Sequence, residues 1–387
     1  MILARGLEGR LEHFEIHMDR LPAAADYVAE TIRRNYSDMK IPPHARWRHF
    51  VVGGKDRWRQ LADTLTAVGR NERARIRFDL AVTSVLLDAG AGPAWRWHDA
   101  ETGAALARSE GLAIASLEAF KRGMFSSDPQ QPLRADANGL RAITVERLGV
   151  AFQVAPGNPL IGLEGRVALM RRLGDTMARD TASFGAVPRI GGLYDCLIAI
   201  AHGDEIKAPQ ILWLLLTALG PVWTGRMTLD GIGLGDTWRH PAIEVTGPTR
   251  GLIPFHKLSQ WLAYSLIEPL WEAGFVVDDI DGLTGLAEYR NGGLFLDLGV
   301  ITPRDASLPQ RQLAPGDEPI VEWRALTVAL LDEIAPLIRA TLGRTAAEMP
   351  LASILEGGTW SAGRRIARAK RADGSPPIAI VSDGSVF

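Results

Sequence analysis

Three charged side chains lie in apolar stretches of the sequence, where a charge is costly to bury unless it has a partner. Lys257 falls in the first turns of a strongly apolar predicted helix, and Glu288 and Arg290 interrupt a second apolar segment. A lysine and a carboxylate in a partly dry pocket shift each other's proton affinities, which is how acid–base pairs are arranged in many active sites. A structural salt bridge is the alternative, and the spacing alone does not decide between them.

The apolar spacing along the chain predicts a mainly helical protein. Helices are predicted over residues 21–34, 71–87, 109–123, 163–180, 206–218, 254–273 and 321–342. A strand over residues 13–18 and a hairpin of residues 95–97 and 105–107 around a polar turn account for the predicted β structure. Since there is no internal repeat or shift in composition, residues 1–387 are predicted to form a single domain, a helical core with a small β element near 95–107.

Composition excludes several classes of function. The 387 residues are 47% hydrophobic, and 43 basic against 45 acidic residues give a net charge of −2. No global field therefore favours nucleic acid or an anionic membrane. The longest apolar stretch, residues 211–223, is shorter than the ~20 residues of a membrane span and is predicted to be a buried helix. We expect a cytoplasmic protein with a small-molecule substrate, no nucleic-acid or membrane partner, and an oligomeric state that the sequence leaves open.

Motifs for metals and cofactors are absent from the sequence. Cys196 is the only cysteine and lies among apolar residues, which predicts a buried structural thiol. His13 and His17 share one face of the predicted strand without an evident third metal ligand, so solvated histidines are expected. Residues 231–235 carry three glycines but lack the pattern of a nucleotide-binding loop and are predicted to be a plain loop. We expect no metal and no cofactor.

Four segments carry a resemblance to a known family. They are residues 46–50, 78–92, 255–270 and 283–294, and the similarity extends from near residue 13 to the closing residues 382–387. On these segments the chain resembles the uracil-catabolism protein family, long filed as a domain of unknown function. The resemblance implies a pathway in which uracil, activated as its ribonucleotide, is ring-opened to a ribosylurea species that must then release urea.

A second resemblance suggests a mechanism. Three motifs, Phe255-His-Lys-x-x-Gln260, Asp279-Ile-Asp-x-Leu-Thr-x-x-x-Glu-Tyr-Arg290 and Glu322-Trp-Arg-Ala325, are similar to motifs of the queuosine-salvage nucleoside glycosidases. This resemblance implies a helix-hairpin-helix DNA-glycosylase-like architecture, mainly α with a small β-hairpin. It also implies catalytic roles for Lys257 and Glu288. The salvage enzymes carry aspartate where this chain has Glu288, which keeps the carboxylate and lengthens its arm.

The activity implied is hydrolysis of the N-glycosidic bond of ribosylurea or its 5′-phosphate. Glu288 is expected to stabilise positive charge on the ribose or activate water, and Lys257 to pair with it and steer the substrate. Asp79 or Glu322 is expected to protonate or hydrogen-bond the leaving urea. The expected substrate-binding residues, comprising arginines for phosphate, aromatic rings for the sugar and their neighbours, are Arg290, Tyr289, Phe78, His256, Arg46, Trp47, Glu322 and Arg324. His44, His49 and His256 are candidate proton carriers.

Structural explanations remain open for most of these residues. Asp79 could cap a helix or form a core salt bridge, and Glu322 and Arg324 could serve the helix dipole and each other. Two other functions also remain open. One is an amidohydrolase that attacks the acyl–urea carbonyl of the opened pyrimidine, and the other is a non-catalytic protein that binds the ribosyl intermediate.

Overall fold

A computed structural model describes residues 1–223 and 227–381, and over these residues the chain is mainly helical. The helices are α1 (Ile2–Leu7), α2 (Leu21–Asn35), α3 (Arg57–Ala62), α4 (Arg70–Leu86), α5 (Arg108–Lys121), α6 (Ala137–Arg141), α7 (Val145–Ala151), α8 (Leu163–Arg179), α9 (Thr181–Phe184), α10 (Gly192–Ala199), α11 (Ala208–Leu219), α12 (Lys257–Glu272), α13 (Tyr289–Asp297), α14 (Glu318–Leu342), α15 (Leu351–Ile354) and α16 (Trp360–Lys370). A π-helical segment, Leu355–Thr359, joins α15 to α16.

The strands of the described residues are short and pair two by two. Antiparallel pairs are β1 (Phe14–Ile16) with β12 (Ile301–Pro303), β2 (Val51–Val52) with β3 (Lys55–Asp56), β4 (Trp97–His98) with β5 (Ala105–Leu106), β7 (Thr228–Leu229) with β8 (Ile232–Gly233), and β9 (Thr237–Arg239) with β10 (Leu252–Pro254). Parallel pairs are β6 (Glu205–Lys207) with β11 (Val276–Asp278), and β13 (Gln312–Leu313) with β14 (Ala379–Ile380).

The helices pack around a continuous hydrophobic core. Helix α12 lies between α4 and α11, α14 packs against α2 and α13, and α13 packs against α16. Almost every residue of α12 from Leu258 to Leu270 is buried. A helix that is apolar on nearly all sides must be surrounded by other elements. The polar residues at its N-terminal end, Lys257 and Gln260, therefore need a specific explanation.

The structure confirms a mainly α fold with small β elements. The predicted strand over 13–18 is β1, and the predicted hairpin is β4 and β5, with Trp97 paired to Leu106. Residues 231–235, predicted to be a plain loop, include the two-residue strand β8 of the β7–β8 hairpin, and the remaining three residues lie outside strands. The prediction of a buried helix over 211–223 is wrong in part, because Trp213 on α11 is 71% exposed.

Two further predictions stay predictions: the single domain and the helix-hairpin-helix glycosylase-like arrangement. Residues 382–387, which close the resembling region, lie outside the described residues. Among the helices described, none combines the length and apolar character that crossing a membrane requires.

Candidate active site

A cavity of about 390 Å³ brings several predicted residues together. Lys257, Glu288, Tyr289 and Arg290 line it from the start of α12 and the start of α13. The remaining described wall comes from residues 88–93, the start of α5, and the side chains His44, His49, Leu258, Trp261, Leu286 and Trp360. Small-molecule sites usually enclose about 300–1,000 Å³. The cavity therefore suits a compact ligand.

One face of α12 holds the segment that precedes α13. Lys257, Gln260 and Tyr264 recur at helical spacing on this face. The amide of Thr284 donates to the Gln260 side-chain oxygen at 3.2 Å, and the Tyr264 hydroxyl donates to the Thr284 carbonyl at 2.9 Å. The glutamine of the Lys-x-x-Gln motif thus fixes the chain leading to Glu288 against the helix that carries Lys257.

Arg324 connects the residues that hold the backbone at Lys257 and next to Glu288. Its guanidinium donates to both carboxylate oxygens of Asp236 at 2.9 and 2.8 Å, and its Nε donates to the Ala287 carbonyl at 3.4 Å. Asp236 in turn accepts the backbone N–H of Lys257 at 3.0 Å. Burial alone would raise the pKa of Asp236, but the charge and hydrogen bonds of Arg324 outweigh burial and hold that pKa well below its usual value. Arg324, predicted to bind substrate, instead positions the residues that line the cavity.

Glu288 caps helix α13. Its carboxylate accepts the backbone N–H of Arg290 at 3.0 Å and that of Asn291 at 2.6 Å. A negative side chain at this end of the helix interacts favourably with the helix dipole. A carboxylate has about four acceptor positions, so capping leaves positions for water or a substrate hydroxyl. The cap thereby fixes the orientation of a group that also lines the cavity.

Lys257 and Glu288 interact electrostatically across the cavity wall. Burial lowers the pKa of the Lys257 ammonium, and the charge of Glu288 acts in the opposite direction. Lys257 and Glu288, which the sequence singled out, therefore lie in one cavity, and the charge of Glu288 favours the ammonium form of Lys257.

The cavity wall also contains a histidine held by a carboxylate. His44 Nδ1 lies 2.6 Å from a carboxylate oxygen of Glu356, and the imidazole packs beside the rings of Trp261 and Trp360. Glu356 belongs to the π-helical segment Leu355–Thr359, and π-helical turns are frequent at functional sites. A histidine oriented in this way by a carboxylate can donate or accept a proton at its other nitrogen.

Two buried polar atoms of the cavity wall have no hydrogen-bond partner among the described residues. They are Nδ1 of His49 and Nε1 of Trp261, whose residues are 7% and 8% exposed. Burial holds the pKa of His49 well below its usual value, and the positive charge of Arg46 adds to the effect. A neutral imidazole and an indole N–H are thus available to a polar ligand, which would relieve the cost of burying them unpaired.

Arg46 lies beneath the cavity rather than in its wall. It is fully buried and donates to the Ser84 hydroxyl at 2.7 Å and to the Asp88 carboxylate at 2.5 Å. Asp88 lines the cavity at the start of the segment 88–93. Arg166 of α8 holds the same segment by donating to the Ala89 carbonyl at 2.7 Å. Arg46, predicted to bind phosphate, therefore positions Asp88.

Asp79 and Phe78 are not among the described residues that line the cavity. Both are fully buried on α4. The Asp79 carboxylate forms an ion pair with Arg189 and accepts the N–H of Gly191 at 2.7 Å, and burial raises its pKa to about 6. The Phe78 ring packs edge-on against Tyr194 at 5.7 Å. These contacts join α4 to α10 and support the structural explanation of both residues.

Glu322 and Trp47 are also absent from the described cavity wall. Glu322 is completely buried and accepts the backbone N–H groups of His13 at 3.2 Å and Phe14 at 3.0 Å. The indole of Trp47 donates to the Ser265 carbonyl at 2.7 Å. Glu322 thus connects β1 to α14, and Trp47 connects the segment 46–50 to α12.

His256 lines a different cavity, of about 500 Å³. The described wall of that cavity consists mainly of apolar side chains such as Trp213, Trp223 and Leu252. It is larger, but the ionisable residues of its described wall are only Asp236, which is paired with Arg324, and His256. The 390 Å³ cavity instead combines Lys257, Glu288 and two histidines, the groups that acid–base chemistry needs. The 390 Å³ cavity is therefore the candidate active site, and we do not assign His256 to it.

The two histidines of the predicted strand do not share a site. His17 Nε2 lies 2.9 Å from the Thr302 hydroxyl. His13 lies beside Glu12 and Glu318, with the potential ligand atoms of the three residues within 4.8 Å of one another. Cys196 is partly buried rather than fully buried, and burial raises the pKa of its thiol.

Several cavity residues escaped the sequence analysis. Asp88 and Trp261 lie inside the resembling segments, but their types and spacing gave no separate signal. Arg108, Glu110 and Trp360 come from segments that carried no motif. Their position becomes evident only in the folded chain, where the starts of α5 and α16 line the same cavity as the start of α13.

The fold and the cavity define a mainly helical protein with a small site rich in ionisable side chains. The family model described as "Protein of unknown function (DUF1688)" matches residues 1–387. The chain belongs to this family.

Two named relatives cover almost the whole chain. It is 39% identical over 398 residues to Protein urg3 of Schizosaccharomyces pombe, covering 100% of this chain and 95% of that protein. It is 36% identical over 416 residues to Uracil catabolism protein 4 of Lachancea kluyveri, covering 98% of this chain and 93% of that protein. These matches confirm the family to which the sequence segments pointed.

Proposed function

We propose that this protein is a hydrolase that cleaves the N-glycosidic bond of a ribosylurea compound and releases urea and the sugar. A role in uracil catabolism is proposed with it, because a relative that matches 98% of the chain carries the name Uracil catabolism protein 4. The observation that supports cleavage most strongly is the presence of Lys257, Glu288 and the His44–Glu356 pair around one cavity.

Glu288 is proposed to act on the sugar side of the bond. Positive charge develops on the ribose as the glycosidic bond stretches, and a fixed carboxylate stabilises that charge. The same carboxylate can accept a proton from the attacking water. Its two hydrogen bonds to the N-terminal turn of α13 keep it in one orientation, so little reorganisation is needed during the reaction.

His44 is proposed to act on the urea side. A nitrogen leaving group needs a proton, and His44, whose Nδ1 lies 2.6 Å from the Glu356 carboxylate, is proposed to supply it from its other ring nitrogen. Neither Asp79 nor Glu322, the two acids suggested by the sequence, is among the described residues of the cavity wall. His44 therefore replaces them in the proposed mechanism.

The proposed step is balanced by one water molecule. The water oxygen bonds to the anomeric carbon while the carbon–nitrogen bond breaks. One water proton passes to Glu288, and the proton of His44 passes to the urea nitrogen. Transfer of the proton from Glu288 back to His44 restores both groups. Lys257 is proposed to hold the ribose hydroxyls beside Glu288.

The test measures urea and free sugar from purified protein supplied with ribosylurea and, separately, with its 5′-phosphate. We expect Glu288→Gln and Lys257→Met each to lower kcat about a hundredfold or more, the usual range for lost acid–base groups. The control is Asp56→Asn, which alters an exposed capping carboxylate on α3 whose side chain accepts the Arg59 N–H. It should leave turnover unchanged.

Three other results would contradict the proposal. Amide cleavage without free sugar would identify an amidohydrolase. Binding without turnover of either compound would identify a carrier. Equal turnover by the wild type and the Glu288→Gln variant would remove Glu288 from the mechanism.

A further inference from the structure

A second cleft, of about 350 Å³, adjoins the candidate active site. The two share Arg108, Glu110 and Arg290 in their walls. The adjoining cleft, which we call the arginine cleft, is further lined by residues 105–107, Arg364, Arg368, Asp373 and Gly374. Four guanidinium groups thus line a space next to the site that holds Glu288 and Lys257.

The positive charge of the arginine cleft is only partly balanced. Arg364 pairs with Glu110 at 2.9 Å. Among the described residues, no carboxylate lies within 4.0 Å of the guanidinium groups of Arg108, Arg290 or Arg368. Asp373 is the remaining acid of the described wall. An excess of unpaired guanidinium groups in one concave surface repels itself unless an anion binds there.

Arg290 is partly buried between the two spaces. Burial lowers its pKa; Tyr289 and Glu288 oppose this effect, and the charges of Arg364 and Arg108 add to it. Its guanidinium lies 5.0 Å from the ring centres of both Tyr289 and Trp360. Aromatic packing of this kind holds a guanidinium in place and leaves its planar edge for an anion.

The start of α5 adds to the same preference for an anion. Arg108 begins this 14-residue helix, and the preceding Ala107 provides no side-chain cap for its first N–H groups. Arg108 has a φ of 53°, in the left-handed region that non-glycine residues seldom adopt. Such strain persists where the surroundings fix it, and it often occurs at binding sites.

We propose that the arginine cleft binds the phosphate group of a phosphorylated substrate whose sugar lies in the candidate active site. Resting on the proposed function, this makes the substrate class a ribosyl 5′-phosphate rather than a free riboside. Guanidinium groups bind phosphate through pairs of parallel N–H···O bonds, and phosphomonoesters are largely dianionic at neutral pH. Arg290, which lines both spaces, lies at the junction where sugar and phosphate meet. The preceding reaction must therefore deliver a phosphorylated intermediate. The sugar product of the hydrolysis proposed for this protein is then a pentose phosphate.

Calorimetric titration of the full-length protein with ribose 5-phosphate, ribose and inorganic phosphate tests this inference separately from turnover. We expect ribose 5-phosphate to bind at least about tenfold more tightly than ribose, since a charge-assisted hydrogen bond contributes roughly that factor. Inorganic phosphate should compete with it, and high salt should weaken both.

Arg368→Gln is the discriminating variant because Arg368 is exposed and its loss should not affect folding. It should weaken ribose 5-phosphate binding about tenfold while ribose binding stays constant. Lys370→Gln is the matched control, since it removes the same charge two residues along α16 from a side chain outside the described cleft wall.

Equal binding of ribose and ribose 5-phosphate, or no binding of either phosphate compound, overturns the inference. Unchanged binding of ribose 5-phosphate by Arg368→Gln also overturns it. So does inorganic phosphate that binds without competing with ribose 5-phosphate, because it then occupies a different site. If urea is released equally fast from phosphorylated and free ribosylurea, the phosphate site fails and the glycosidase stands. If ribose 5-phosphate binds as expected but neither compound is hydrolysed, the glycosidase fails and the phosphate site stands.

Discussion

Three carboxylates on or beside apolar helices, Asp79, Glu288 and Glu322, differ in what stabilises their charge. Asp79 is stabilised by Arg189, and Glu322 by backbone N–H groups of the N-terminal strand. Glu288 is stabilised by the first turn of its own helix and also lines a cavity. Asp79 and Glu322 therefore hold structural elements together, whereas Glu288 is the one acid of the three that a substrate can reach.

Replacing Asp79 should affect folding rather than chemistry. Asp79→Ala leaves Arg189 without its fully buried partner, and breaking a buried ion pair usually costs about 3 kcal/mol or more. We expect a loss of about 3 kcal/mol in the free energy of unfolding, measured by urea denaturation, with KM and kcat of the folded fraction close to wild type.

The control for Asp79 is Asp195→Ala. Asp195 pairs with Arg75 at the surface, with 45% of its side chain exposed, so its loss should cost less than about 1 kcal/mol. An Asp79→Ala variant of normal stability that has lost turnover would instead make Asp79 a catalytic residue.

At the level of residues, the sequence predicted the charged pair but not its surroundings. Lys257 and Glu288 could be singled out because each interrupts an apolar segment. Asp79 also interrupts an apolar segment. Local sequence does not show whether such a charge faces a substrate or pairs with a side chain such as Arg189, which lies 110 residues further along the chain. The His44–Glu356 pair could not be predicted from local spacing, because its two residues lie 312 residues apart.

Among the elements, α13 and α16 determine where the arginines of the site lie. Gly363 on α16 faces the carbonyl of Arg290, and a Cβ atom there would come within 2.3 Å of that oxygen. Only glycine lets the two helices approach this closely. The close approach places Arg290 beside both Trp360 and Arg364.

Gly363→Ala should therefore disturb the site as well as stability. Overpacking of this kind costs about 1–3 kcal/mol, and moving α16 away from α13 displaces Arg290 and Trp360 together. We expect a lower melting temperature and a KM for the ribosyl substrate raised about tenfold.

Gly165→Ala serves as the matched control on α8. It lies at an exposed helical position where a Cβ atom meets nothing within 4 Å, so it should be neutral or slightly stabilising. Gly363→Ala with wild-type KM and melting temperature would contradict the close packing of α13 on α16.

The helices were predictable from the sequence and the π-helical segment was not. Amphipathic and apolar periodicity marks helices such as α4, α8 and α12 to within a few residues. The segment Leu355–Thr359 depends on packing against α2, since Cβ atoms at Gly357 and Gly358 would meet Tyr36, Ile41, Val28 and Ile32. Among the strands of two or three residues, β1 and the β4–β5 hairpin were predicted, whereas the others carry too little alternation to be recognised.

For the whole molecule, long-range contacts hold the N-terminal strand and the segments that carry Lys257 and Glu288 to α14. Glu322 accepts hydrogen bonds from residues 13 and 14, and two residues later Arg324 links Asp236 to Ala287. The Glu-x-Arg motif is therefore an organising motif rather than part of the cavity wall.

The central claim for the whole molecule is that the bond cleaved joins nitrogen to the sugar. The most direct test is hydrolysis of ribosylurea or its 5′-phosphate in water enriched in oxygen-18. Rapid borohydride reduction of the sugar prevents exchange of its anomeric oxygen with water. Mass spectrometry then measures oxygen-18 in the products. Unlabelled sugar carried through the same steps corrects for residual exchange. Our account predicts the heavy oxygen in the sugar alcohol and none in the released urea; heavy oxygen in a carboxylate or carbonate product, with the sugar still bound to nitrogen, would contradict it.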